Sequence, residues 1–482
     1  MATLDVVVVG GGLGGLACAV DLARRGHRVC VLEAQAVVGG YAANFDRGGY
    51  RFDASLHMLD AVEEEGANRP IWERLNLHKH VPTAIPPIIR REVWPAHDLV
   101  MPHGLDGWKT TLAKAFPGQA DGFGRLADLA VAVQDAVVAD RDARLHRTPL
   151  TQLGPPLSVL MNQTAGEVMR QYLSEHRAVA VAGSLSCYLG LGCDELGAIP
   201  FFTMLASYHR DSASYPVGGG GAVSRALAAE LAEAGGQTRC NSPVFGIRCV
   251  QRTVVGVTLE SGEQLDADVV VSNTSPLHTY QRLVDANQVA PRFARKLSEM
   301  TVGTSVVKVW LGLDGDIASE LGLPYETFLR TSYGTTFCDG TLEDIGVVAP
   351  HQLDPGCCPE GKSVISITAG AEAGLDADAA RAQLAESALR AVERRLMPGL
   401  SDRIEEKVVA TPRTFHRHTW NPGGTIHGFR PTPQQSGPRR LGVTGPVARL
   451  YQVGGWTYAG SGFLPSMTSG LIAAAAIDGG AG

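Results

Sequence analysis

Asp5-Val6-Val7-Val8-Val9-Gly10-Gly11-Gly12-Leu13-Gly14-Gly15, continuing through Gly26 to Arg28-Val29-Cys30-Val31-Leu32-Glu33, decides the fold. Val6 to Val9 is a short β-branched apolar run bounded by glycine, the pattern of a strand buried on both faces of a parallel sheet. Leu13 to Arg25 reads as a helix with small residues, Gly15 and Ala19, on one face, ending on Gly26. Arg28 to Leu32 reads as a second strand. In this βαβ setting the glycines form a G-x-G-x-x-G dinucleotide fingerprint: Gly10 permits the tight turn, Gly12 lets backbone approach a pyrophosphate, and Gly15 lets helix and strand pack closely. The helix N-terminus offers free N–H groups and the positive end of a dipole to the phosphates. Glu33, about 20 residues beyond the glycines, is placed to accept from a ribose hydroxyl and disfavours a 2′-phosphate. FAD and NAD remain as occupants, and NADP is unexpected.

At 482 residues the chain can bury a large core and is expected to form more than one domain. A net charge of −7 with no dense Lys/Arg run excludes a nucleic-acid surface. The nine cysteines are scattered without zinc-site spacing, so no metal is expected, and the adjacent Cys357 and Cys358 read as free thiols in a loop. The first strand begins almost at Met1, leaving no room for a signal peptide, and no apolar run has the length of a membrane span. The expected location is the cytoplasm.

Outward from the fingerprint, Val37-Val38-Gly39-Gly40-Tyr41 brings a second glycine pair just past the acid, and Tyr50 to Asp53 alternates like a strand with His57 on its trailing turn. Residues 63–215 show recurring helical patterns (Trp108 to Phe116, Phe123 to Val138, Ala165 to Leu173, Arg177 to Leu185) separated by proline-rich breaks, as in a helical cap over an apolar pocket or a plain helical core. Tyr215 to Gly221 returns to a glycine-rich turn before a helix, Ala222 to Ala234. Val244 to Cys249, Thr253 to Leu259 and Gln264 to Val271 follow as three strands. Ser305 to Leu313 and Ser363 to Thr368 are further strands, and Ala377 to Leu396 is an amphipathic helix with Asp376 as its N-cap. His416 and His418 alternate before Trp420, as on one face of a strand. Leu450 to Val453 is a last short strand, followed by Gly454-Gly455-Trp456 and an apolar helix, Pro465 to Ile477, in which Gly470 allows close approach.

In this order the chain resembles the phytoene desaturase family of flavoproteins, which includes carotenoid isomerases, retinol saturase and related bacterial enzymes acting on polyenes. Besides the fingerprint, the resemblance rests on Gly49-Tyr50-Arg51-Phe52-Asp53, on Tyr215 to Gly221, on Ala267-Asp268-Val269-Val270-Val271-Ser272-Asn273, and on the tail from Leu450 to Gly470. Residues of about 80–200 match nothing specific. Tyr41 stands where family members with Gly-Gly-Arg carry arginine. Asp53-Ala54-Ser55-Leu56-His57 replaces the desaturases' Asp-x-Gly-Pro, closer to the retinol-saturase style. The resemblance implies an amine-oxidase-like α/β fold: a Rossmann-type FAD-binding domain with an inserted substrate domain of mixed sheet and helical cap. The chain would divide into FAD-binding segments at 1–62, 216–285 and 440–482, a helical cap at 63–215 and a substrate sheet at 286–439. The FAD contacts it implies are Gly10, Gly12, Leu13, Gly14, Gly15, Glu33 and Ala34, then Gly39, Gly40 and Tyr41, then Val244, and finally Gly454, Gly455, Pro465, Ser466 and Met467.

No second fingerprint follows, so a dedicated NAD(P)H domain is not expected. The flavin would exchange electrons with substrate and with oxygen, a quinone or a partner reductase. His57 is the candidate proton donor or acceptor, against a hydrogen-bonded structural role. Tyr41 and Trp456 are candidates to wall the flavin, against plain packing. The expected activity is hydride transfer between FAD and a long, unsaturated, apolar substrate such as a carotenoid, retinoid or polyene natural product, with peripheral membrane contact a consequence of such substrates. The alternatives are a saturase, reductive cyclase or redox-neutral isomerase of a polyketide-like polyene in natural-product biosynthesis, and a non-catalytic flavin-binding protein.

Overall fold

The computed structural model describes residues 4–147, 154–337 and 340–479. Leu4–Val9 lies at the centre of a seven-stranded sheet, parallel to Val29–Leu32 on one side and to Gln264–Ser272 on the other. Gln237–Arg239 extends the parallel array beyond Val29–Leu32, and Leu450–Gln452 joins it beside the end of Gln264–Ser272. The chain thus returns to this sheet from its start, its middle and its end. Gln264–Ser272 shows why one strand serves two neighbourhoods. Its first residues alternate between buried and exposed, where they pair antiparallel with Thr253–Leu259; its last three are fully buried in the parallel array. The helices Leu13–Arg24 and Gly219–Glu233 pack against the sheet, and Phe463–Gly479 packs on Leu13–Arg24. The first and last of these approach so closely that a Cβ on Gly470 would stand 2.2 Å from the carbonyl oxygen of Gly14.

A second seven-stranded sheet has the order Ile404–Ala410, Ser305–Asp314, Lys362–Ala371, Asp344–Val348, Glu326–Arg330, Arg90–Val93, Asp98–Met101. Period-two alternation gives it two faces. Val307, Val309, Leu311, Ile365 and Ile367 pack under the helix Asp378–Arg395, while Val306, Phe328 and Thr368 face the other way, into a cavity. The cap closes over that cavity with the helices Leu105–Ala115, Ala120–Leu145 and Ala198–His209.

Four local expectations are corrected. The stretch 63–215 is not helical throughout: Arg90–Val93 and Asp98–Met101 are strands, because Ile89, Trp94 and Met101 gain burial on the second sheet that a short isolated hairpin lacks. His416 and His418 lie on a helix, Pro412–Thr419, rather than a strand. Proline at its first position presets the helical φ, and the Thr411 N–H donates to the Thr414 hydroxyl at 3.3 Å. The helix Asp378–Arg395 has Ala377, not Asp376, at its N-cap and no capping side chain. The closing helix begins at Phe463, two residues before Pro465, since proline fits anywhere in a first turn that donates no intrahelical bond.

Candidate functional site

Gly10, Glu33, Asn273 and Gly454 all fall just past the carboxyl ends of parallel strands, where open α/β sheets bind ligands. Bare backbone lines this crevice for steric reasons. Gly10, Gly39, Gly40 and Gly454 have φ of +96°, +121°, +58° and +91°, which side chains rarely adopt. A Cβ on Gly12 would meet Asn273 Nδ2 at 2.5 Å, and one on Gly14 would meet the Gly454 nitrogen at 2.7 Å. The helix Leu13–Arg24 has Gly12 at its N-cap with no capping side chain, which leaves its first-turn N–H groups for a phosphate. Glu33, 8% exposed, accepts from the N–H groups of Gly11 and Gln35, both at 2.8 Å. Burial raises its carboxyl pKa, against those two bonds. One carboxylate therefore ties the glycine loop to the end of its strand. This backbone cradle, uncapped helix and buried acid fit FAD.

A cavity of about 610 Å³ runs from the cradle into the cap. Gly10, Gly12, Leu13, Gly14, Glu33 and Ala34 line it, as do Gly39, Gly40, Tyr41 and Val244. His57, Gly454, Gly455, Trp456, Pro465 and Ser466 complete the expected residues on its wall. Gly15 and Met467 stand behind the wall: a Cβ on Gly15 would meet the Gly10 carbonyl oxygen at 2.4 Å, and Met467 is fully buried. Tyr41 donates to the Thr425 carbonyl at 2.8 Å, and burial pushes its hydroxyl up to about 12. Trp456 packs edge-on against Phe429, with ring centroids 4.9 Å apart. Arg440, only 4% exposed, donates to the Gly455 and Phe429 carbonyls and so fastens the closing loop; burial lowers it to about 10.

His57 is set in place by a turn. The Asp53 carboxylate accepts from the N–H groups of Ser55, Leu56 and Gly220 at 3.0, 2.6 and 2.5 Å, and Trp310 Nε1 donates to the Asp53 carbonyl at 2.7 Å. Burial raises the Asp53 pKa, and burial likewise brings the nearby Lys308 down to about 8. The Tyr325 hydroxyl donates to the His57 carbonyl. On the imidazole, Nδ1 lies 2.8 Å from Glu326 Oε1, which also accepts from the Tyr188 hydroxyl at 2.5 Å. Glu326 has a side chain 0% exposed, and its Oε2 has no partner among the described residues. With Nδ1 engaged by that carboxyl oxygen, Nε2 is left to the cavity that His57 lines.

The chamber around His57 is mainly apolar and aromatic, with Leu56, Met58, Ile199, Met204, Tyr208 and Phe328 on its walls. Asn273, Tyr188 and Glu326 were not singled out from the sequence. Asn273 was visible only as the polar end of a strand. Glu326 sits in an ordinary-looking run, Tyr325-Glu326-Thr327-Phe328, and an inward-facing acid leaves no local signal of its partner 269 residues away. Cys357 and Cys358 are free thiols, away from the cavity wall.

The chain belongs to the flavin-containing amine oxidoreductases, whose family model matches residues 13–478. It is an FAD-dependent oxidoreductase. Among individual proteins it is 23% identical to the chloroplastic prolycopene isomerase of Daucus carota, over 98% of this chain and 79% of that one. It is 26% identical to the neurosporene-forming phytoene desaturase of Rhodobacter capsulatus (97% and 93% covered) and 28% to the all-trans-zeta-carotene desaturase of Myxococcus xanthus (97% and 92%). In fold it is similar to an oxidoreductase from Methanosarcina mazei, with TM-score 0.69, 18% identity and coverage of 97% and 99%. It is likewise similar to cyclohexylamine oxidase from Brevibacterium oxydans, with TM-score 0.66, 16% identity and 99% of each chain covered. Among the described residues no helix is long and apolar enough to cross a membrane.

Proposed function

We propose that this protein transfers a hydride and a proton to or from a carbon–carbon bond of a long unsaturated apolar substrate held in the cavity under the cap. The observation that carries the reading is a single cavity joining the glycine cradle to an apolar chamber, with the His57 imidazole on its wall and a fully buried carboxylate behind that imidazole. Bound FAD supplies the two-electron chemistry, exchanging hydride at its N5. The backbone at Gly10, Gly12 and Gly14, with the uncapped helix at Leu13, takes the pyrophosphate, and Glu33 takes the ribose. Gly39, Gly40, Tyr41, Gly454, Gly455 and Trp456 enclose the ring system beside the closing helix. The apolar walls orient the polyene and exclude water. His57 Nε2 gives or takes the proton on the carbon adjacent to the hydride position, while Glu326 holds Nδ1 and stabilises the imidazolium. The electrons arrive from, or leave to, an external carrier: oxygen, a quinone or a reductase.

Direction is read from which flavin state reacts. Mixed anaerobically with candidate polyenes, a desaturase holoenzyme loses its visible flavin absorbance. A saturase, isomerase or reductive cyclase acts only after dithionite or a partner reductase has reduced it. The His57–Glu326 pair serves either direction, because removing or adding the two hydrogens moves a proton as well as a hydride. Full turnover by enzyme carrying His57→Ala would remove His57 from the proton path.

A further inference from the structure

Resting on this reading of the cavity, we infer that its cap end binds an oxygen-bearing terminus of the substrate, so that the ligand is a polyene with a carbonyl or carboxylate end rather than a plain hydrocarbon. The helix Ala120–Leu145 presents Gln134, Val137, Val138 and Arg141 to the cavity, the spacing of one helical face. A wall built only for hydrocarbon would keep that face apolar. Arg141 is 8% exposed. Its Nη1 donates to the Ala67 carbonyl at 2.7 Å and to Asn68 Oδ1 at 3.2 Å, and its Nε donates to Asp142 at 2.9 Å. Nη2 donates to none of the described residues. A guanidinium has five donors and no way to shed its charge, so an Nη2 left over on a cavity wall offers its N–H groups to an acceptor.

Further polar groups stand beside it. Asn68 Nδ2 donates to the Asp60 carbonyl at 3.1 Å, and Asp60 lines the same cavity. The same Nδ2 lies 3.4 Å from Asp60 Oδ2, and burial raises the Asp60 carboxyl against a hydrogen bond from Ser207. Asp142 pairs with Arg141 and Asp140 Oδ2 with Arg144, both at 2.9 Å, while Asp140 Oδ1, buried on the same wall, has no partner among the described residues. A terminal oxygen entering this end accepts from Arg141 Nη2, and the chain of the substrate then extends towards His57 along Val137, Val138 and Met204.

The test uses the FAD-loaded protein and three probes sharing one C20 skeleton: all-trans-retinoic acid, all-trans-retinal and the oxygen-free hydrocarbon axerophthene. Affinities are read by equilibrium titration of tryptophan emission, with bound FAD quantified in parallel. Losing a hydrogen bond to a charged group weakens binding about 10- to 100-fold, so at least one oxygenated probe should bind wild type that much tighter than the hydrocarbon. Arg141→Met should abolish the preference while leaving hydrocarbon affinity and FAD content unchanged. Arg141→Lys, which keeps a charge but loses the fork, should retain part of it. A stronger effect on retinoic acid assigns a carboxylate end, and on retinal a carbonyl end. Equal affinity for all three probes in wild type overturns the inference, as does a preference that survives in Arg141→Met. Loss of FAD in either variant overturns it too, by assigning Arg141 to the cofactor. If none of the probes binds, the polyene reading of the cavity itself fails, a distinct result.

Discussion

Replacing Glu326 by glutamine is the sharpest test of the proton path. The amide keeps an oxygen where Oε1 accepts from His57 Nδ1 (2.8 Å) and Tyr188 (2.5 Å), and places its nitrogen where Oε2 has no partner among the described residues. Shape and packing are therefore preserved, and what disappears is the negative charge behind the imidazole. A hydrogen bond to a charged group contributes about 1.5–3 kcal/mol, and each 1.36 kcal/mol is about tenfold in rate, so the proton-transfer step should slow roughly 10- to 150-fold. Removing the imidazole itself in His57→Ala should slow turnover about 10²- to 10⁴-fold. Because the two act as a unit, the double variant should be no slower than His57→Ala alone. The assay is anaerobic single turnover with a polyene that changes the flavin's visible absorbance, alongside FAD content and thermal midpoint. Unchanged rates in Glu326→Gln at full FAD occupancy would refute the reasoning. Equal losses of rate, FAD and stability would instead make the pair structural.

Denaturation should release FAD intact, since the cradle is backbone and no His or Cys lies within the closing motif; flavin that stays with acid-precipitated protein would count against this. Glu33→Ala should weaken FAD binding by about 1–3 kcal/mol and be rescued by excess FAD, a larger drop being explained by the loosened Gly11 and Gln35 N–H groups; an unchanged affinity shows that Glu33 does not contact the ribose. Gly470→Ala should destabilise by about 1–3 kcal/mol despite alanine's better helix propensity, because its Cβ meets the Gly14 carbonyl, and should loosen FAD through Gly14; calorimetry and FAD titration read both. His427 is buried and held down at about 4 from an ordinary 6.5, chiefly by desolvation and then by Arg440. The unfolded chain takes up that proton first, so stability should fall as pH drops from 6.5 to about 4, by about 3 kcal/mol for this residue. The buried His209 acts in the same direction. A thermal midpoint flat over that window in wild type, or equally steep in His427→Gln, would contradict it.

The sequence by itself determined the parallel core and the cofactor cradle, because both are written in contiguous residues. Val6 to Val9, the glycines from Gly10 to Gly15, and Glu33 lie within one βαβ unit, and each local choice constrains the next. It also showed that the chain returns to that cradle near Asn273 and Gly454, since glycine and small polar residues after a buried strand mark a close backbone approach. Tertiary structure alone decided the rest. Arg90–Val93 became a strand only because Glu326–Arg330, far along the chain, offered it an edge. His57 became a candidate proton carrier only when Glu326 and Tyr188, from the second sheet and the cap, met at its Nδ1 side. Such a contact depends on where two domains place their side chains, and neither helical nor strand periodicity carries that information across the distance.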